Sequence, residues 1–214
     1  MKQLAIAVLM LAGLQASAQS KKFDVTIRGC EKDTVYLVRY YGQKMFYADT
    51  AIADANGKVS FDPSIKSEAG MYAVMPDDKS GYFEILVSDE DIVIETDKRN
   101  YVGSMKIVKS AENKAFYEYI RFISAKQKQA APLKEQLSDS TLAEEKKESL
   151  RASITKMDEE VKAEQQRVIK DNAGSLVSLV LRLSTDIDVP EIKDENGELD
   201  KAAQRNYYVS HFWD

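Results

Sequence analysis

Two hydrophobic rhythms divide this chain. From Phe23 to Lys109 apolar and polar residues alternate, the period of strands with one buried face. From Phe116 onward apolar residues return every three or four positions, the period of amphipathic helices. The change falls in Ser110-Ala111-Glu112-Asn113-Lys114-Ala115-Phe116, where Ser110 is placed to cap a new helix and Glu112 puts a negative charge in its first turn. Phe116, Tyr119, Ile120 and Ile123 then form a stripe that must be buried against the strands before it or the helices after it.

Within the first half, Phe23, Val25 and Ile27 alternate before Gly29, and Val35, Leu37 and Arg39 follow the turn Glu31-Lys32-Asp33. A run from Met45 to Ala53 leads to Asn56-Gly57, a dipeptide that predicts a type I′ hairpin with the return strand Lys58 to Asp62. Gly70 to Met75 is a further strand, Tyr82 to Val87 and Ile92 to Thr96 read as a second hairpin across Ser88 to Asp91, and Ser104 to Lys109 closes the set. Short strands separated by turn signals every 8–12 residues predict an antiparallel β-sandwich or partly open barrel.

In the second half, a helix from about residue 111 is expected to stop near Ala131, because Pro132 removes a donor and restricts its predecessor. Leu133 to Leu137 is a short piece before the capping cluster Ser138-Asp139-Ser140-Thr141, and a long helix follows to about Asp171. Its apolar residues Leu150, Ile154, Met157, Val161 and Val168 make a narrow heptad seam. A rod of thirty residues, roughly 45 Å long, needs a partner. The first helix is the nearest one, which predicts an antiparallel hairpin over 111–171; a homodimer through the long helix is the other reading. Asn172-Ala173-Gly174 is a C-terminal stop. Ser175 to Leu183 reads as a buried helix apolar nearly all round, Asp186 to Gly197 as a loop, and 199–213 as a last helix gathering Tyr207, Tyr208, Phe212 and Trp213. The expected class is α+β, with a β-sandwich-like domain over 19–109 and a helical domain over 110–214 that reads as cut short after Asp214.

Residues 1–18 read as a secretory signal: Lys2, an apolar run from Leu4 to Leu14, and Ala16-Ser17-Ala18 before a cleavage expected ahead of Gln19. The apolar run is shorter than the about 20 residues of a spanning helix. Leu11-Ala12-Gly13 opens like a lipoprotein box, but Leu14 stands where the acylated cysteine would be. An exported chain with neither a lipid anchor nor a membrane span after cleavage is expected. Losing Lys2 takes the net charge of −5 to −6, which argues against nucleic acid as a partner.

Candidate chemistry is sparse. Cys30 is the single cysteine, so neither an internal disulfide nor a Cys-x-x-Cys pair is available, and it reads as a small residue at a strand end. His211, the single histidine, sits among aromatics without a recognisable catalytic partner. Asp194, Asn196 and Gly197 have a calcium-loop rhythm, but Ile192 occupies the first ligand position and Ala203 that of the bidentate glutamate. The Glu/Lys run from Glu144 to Lys170 reads as a solvated helix face. Tyr36, Tyr40, Tyr41, Phe46 and Tyr47 are packing residues by default, with sugar or partner binding as the alternative. No catalytic residue, cofactor or metal is expected, and no serine, histidine and carboxylate set has the spacing of a hydrolase.

Asp33-Thr34-Val35-Tyr36-Leu37, Asp49-Thr50-Ala51, Asn56-Gly57-Lys58-Val59-Ser60-Phe61 and Gly70-Met71-Tyr72 resemble the β-rich N-terminal domain that precedes the redoxin domain in Bacteroidota thioredoxin-like proteins of the TlpA/ResA type. Glu112-Asn113-Lys114-Ala115-Phe116, Ser175-Leu176-Val177 and Tyr207 to Asp214 are similar to the helical linker of the same proteins. The resemblance implies a periplasmic or cell-envelope accessory region contributing to redox homeostasis, which positions a C-terminal redoxin domain or docks its substrate. Thiol chemistry in that family belongs to a Trp-Cys-x-x-Cys motif that no position here matches. The alternative is a free-standing envelope binding or scaffold protein.

Overall fold

A computed structural model of the chain describes residues 22–42, 44–79, 81–185 and 189–211. The expected signal and the aromatics Phe212 and Trp213 lie outside the described residues. In chain order the elements are β1 (Phe23–Arg28), β2 (Thr34–Tyr41), β3 (Lys44–Ile52), β4 (Lys58–Ser60), a 3-10 turn (Pro63–Ser67), β5 (Gly70–Pro76), β6 (Phe83–Val87), β7 (Ile92–Asp97), the single turn α1 (Tyr101–Ser104), β8 (Lys106–Lys109), and the helices α2 (Ala111–Leu137), α3 (Glu144–Asp171), α4 (Leu176–Leu183) and α5 (Lys201–Ser210). The class is α+β, as the two rhythms predict.

Among the described residues, eight strands form two four-stranded sheets, ordered β4-β1-β7-β8 and β3-β2-β5-β6. Their inner faces meet. Phe23, Val25, Ile27, Val59, Ile92 and Ile94 of the first sheet and Val35, Leu37, Tyr72, Val74, Phe83, Ile85 and Val87 of the second are buried in one cluster. The pairing is antiparallel except between β1 and β7, which run parallel with Val25 opposite Ile94.

Both expected hairpins are corrected by this topology. The turn at Asn56-Gly57 joins β3 to β4, but β3 pairs with β2 and β4 with β1, so the chain changes sheet there. Only Gly57 has positive φ (75°), which rules out a type I′ turn. The Asp54 carboxylate accepts from the Asn56 and Lys58 amides and organises the turn instead. β6 and β7 likewise belong to different sheets. The expected strand start at Ser104 is also replaced: Asn100 caps the turn α1, and β8 begins at Lys106.

The helices follow the expected order with two corrections. α2 does not stop at Ala131 but continues through Pro132 to Leu137. Pro132 is exposed, so water can replace the donor that the ring removes. α4 is not buried all round: Val177 and Leu181 face the core, whereas Leu179 and Leu183 are about half exposed. α3 packs along α2 with Leu150 and Val168 buried and Ile154, Met157 and Val161 half-buried, and Lys126 of α2 pairs with Glu160 of α3. The heptad seam therefore has an internal partner.

The helices attach to the second sheet along β6. Asn113 is fully buried; its Oδ1 accepts from the Leu86 amide at 2.8 Å and its Nδ2 donates to the Leu86 carbonyl at 2.7 Å. One turn later the Tyr117 hydroxyl donates to the Glu84 carbonyl at 2.7 Å. Burial holds that phenol well above its usual range, so it remains a donor. Two side chains of α2 thus satisfy the main-chain groups that β6, an edge strand, turns away from β5. Glu112 accepts from the Leu176 and Val177 amides and binds the start of α4 to the start of α2.

Candidate functional site

The outer face of the second sheet is only half covered. Beyond the end pair Thr34–Ile52, three cross-strand rows set its surface. Thr50, Tyr36 and Met75 form the first; Tyr47, Val38, Ala73 and Glu84 the second; Met45 and Tyr40 lie opposite each other in the third, which runs toward Met71 and Leu86. Toward β6, Met71 and Glu84 form the floor of a groove of about 730 Å³, walled by Phe116, Tyr119 and Ile120 of α2, Val161 and Gln165 of α3, and Val180 and Leu181 of α4. Toward β3 the face is open, with Tyr47 61% exposed and Met45 46%.

The open part is built from tyrosines held by carboxylates. The Tyr36 hydroxyl donates to Asp77 at 2.7 Å and that of Tyr40 to Glu84 at 2.9 Å. The rings of Tyr36 and Tyr47 lie 4.8 Å apart. The Asp77 bond raises the Tyr36 phenol, and burial, followed by the bond to Glu84, holds Tyr40 far above its usual range. Both hydroxyls remain protonated donors throughout the physiological range. Tyr82, 52% exposed, lies beside Tyr40. Such a face offers flat π surfaces and acceptor oxygens, a combination suited to recognition.

The structure separates the five aromatics that the sequence grouped. Tyr36, Tyr40 and Tyr47 share the outer face, while Tyr41 and Phe46, 77% and 46% exposed, contact each other edge-to-face on the opposite side. A β-bulge, where the β2–β3 register shifts between Leu37 and Val38, sets this division. Asp77 and Glu84 escaped the sequence reading, because a carboxylate at a strand end carries no signal until the tyrosine it serves is placed.

The remaining candidates do not join this site. Cys30 is buried, and burial pushes its thiol up to about 11. Its thiolate is therefore scarce at neutral pH. The native chain at pH 8 is expected to react with a disulfide reagent such as DTNB about a hundredfold more slowly than the urea-unfolded chain; equal rates would show that Cys30 is accessible. His211 stacks on Tyr207, with Nδ1 2.8 Å from the Tyr207 carbonyl and 3.0 Å from Ser210 Oγ. A carbonyl only accepts, so Nδ1 carries the hydrogen and is not a base toward Ser210. Asp194 Oδ1 accepts from the Asn196 and Glu198 amides, which makes the calcium-like rhythm a turn. The charged run on α3 forms local pairs such as Arg167 with Glu164 and Asp171. Among the described residues no group of three or more His, Cys, Asp or Glu is placed to hold a metal, and no helix is long and apolar enough to cross a membrane.

The chain is thus an α+β protein whose two-sheet sandwich is clasped by a helical hairpin and presents a tyrosine–carboxylate face. Residues 22–116 match the family model described as Domain of unknown function (DUF4369). That match runs past β8 to Phe116 and so takes in Asn113, the side chain that completes the β6 edge. No curated protein matches the chain.

Proposed function

We propose that this chain is a non-catalytic docking region, exported to the cell envelope and accessory to a thioredoxin-like thiol-disulfide oxidoreductase. The docking role is carried by one observation: the outer face of the second sheet is left open toward β3, beside a groove, and displays tyrosines held by two carboxylates with no basic residue in its cross-strand rows. Its redox and envelope context rests on the resemblance borne by Asp33 to Leu37, Asn56 to Phe61, Glu112 to Phe116 and Tyr207 to Asp214. Thiol-disulfide exchange requires an attacking thiolate and a resolving cysteine, and here Cys30 is single and buried. The role left to these residues is to hold or present a partner.

The purified chain is expected to add nothing to the rate at which dithiothreitol reduces insulin disulfides; catalytic turnover would sink the non-catalytic reading. Sequencing the native reading frame past the codon for Asp214 tests the redox context. A continuation encoding Trp-Cys-x-x-Cys supports it, whereas a stop codon transfers the docking role to a free-standing envelope binding protein.

A further inference from the structure

We infer that the open face of the second sheet binds a cationic protein segment, one that presents arginine or lysine side chains to the tyrosines. This deepens the docking role proposed above and rests on it. Charge is the first ground. The strand residues of this face carry no Lys or Arg in any of the three rows, while Glu84 lies within them and Asp77 directly follows β5. Lys79 lies two residues beyond Asp77, and Lys162 of α3 lines the adjoining groove with Asp158 four residues before it.

The second ground is how the carboxylates are held. Asp77 and Glu84 each spend an acceptor site on a tyrosine hydroxyl, at 2.7 and 2.9 Å. An ionised carboxylate has about four acceptor sites, so each retains capacity for a partner's donors. The tyrosine bonds fix both groups in orientation before any partner arrives, which lowers the ordering cost of binding.

The third ground is the rings. Tyr36 and Tyr47 are in contact at 4.8 Å beside Asp77, and the Tyr40 ring stands at Glu84, so each carboxylate has an aromatic ring beside it. A guanidinium stacks on a ring face while donating in bidentate fashion to a carboxylate, and does both better than an ammonium. An acidic segment would meet repulsion from both carboxylates. A wholly apolar one would bury them without donors, at a desolvation cost.

Isothermal titration calorimetry on the full chain tests this, with capped ten-residue peptides alternating threonine with arginine, glutamine or glutamate. The arginine peptide is expected to bind at least about tenfold more tightly than the glutamine one, and the glutamate peptide not at all. The double variant Asp77→Asn/Glu84→Gln is expected to lose about tenfold in affinity. Neutralising Glu144 and Glu145 at the remote start of α3 in the same way should change it less than twofold. Tyr47→Ala, at an exposed ring, should weaken binding about fivefold without lowering the melting temperature. The inference is overturned if arginine and glutamine peptides bind alike, if neither binds, or if the remote double variant loses as much as the local one. The insulin and reading-frame results stand whichever way this falls, so the two readings fail separately.

Discussion

Replacing Asn113 by alanine is expected to destabilise the protein by about 3–5 kcal/mol. The side chain is fully buried and bridges both main-chain groups of Leu86. It also donates to Ser110 Oγ, which caps the amide of Asn113 itself. Alanine leaves a buried N–H and a buried C=O without the partners they now have, and each orphan costs about 1–3 kcal/mol. Leucine restores the volume but not the bonds and should recover little. Aspartate keeps the acceptor, loses the donor and buries a charge. Urea unfolding measures all three. A loss below about 1 kcal/mol for the alanine variant would mean that β6 and α2 do not depend on this clasp.

Gly57→Ala is expected to cost a similar amount, about 3–5 kcal/mol, for a different reason. A Cβ built on Gly57 would stand 2.2 Å from the Ile27 carbonyl oxygen. The main chains approach this closely because the Ile27 amide donates to the Gly57 carbonyl at 2.8 Å, which pins the sheet-changing turn against β1. Neither backbone can retreat without breaking that bond. The positive φ of 75° adds strain of about 1 kcal/mol. Gly174 supplies the control: its φ is 81°, but nothing lies within 4 Å of its would-be Cβ. Gly174→Ala should therefore show the φ cost alone, about 1 kcal/mol. If the two variants lost equal stability in denaturant titrations, the close approach at Gly57 would be contradicted.

These two positions show how far local patterns carry. Asn56-Gly57 is a real turn signal, and glycine is required there, but the requirement comes from a strand of the other sheet rather than from a hairpin. Ser110 and Glu112 mark the start of a helix, and the structure uses both as marked. Ser110 caps at Asn113 N, while Glu112 goes on to accept from amides 64 and 65 residues away. Asn113 itself looked like an ordinary polar residue in a helix's first turn. Its partner at Leu86 lies 27 residues earlier, and no periodicity encodes a bond across that distance.

The same limit governs the candidate site. The tyrosines of β2 and β3 were visible as an aromatic run, but one bulge decided which faced outward together. Asp77 and Glu84 became partners only when β5 and β6 were laid beside β2.

What the sequence determined by itself was the order and kind of the elements: alternation yields strands and a 3.6-residue recurrence yields helices, because each period places apolar groups on one side of a single local backbone geometry. The tertiary structure alone decided which strands pair, that β1 and β7 run parallel, and which half of a sheet stays open. Those choices minimise exposed apolar area and unsatisfied main-chain groups over the whole chain at once, and no local window contains that sum.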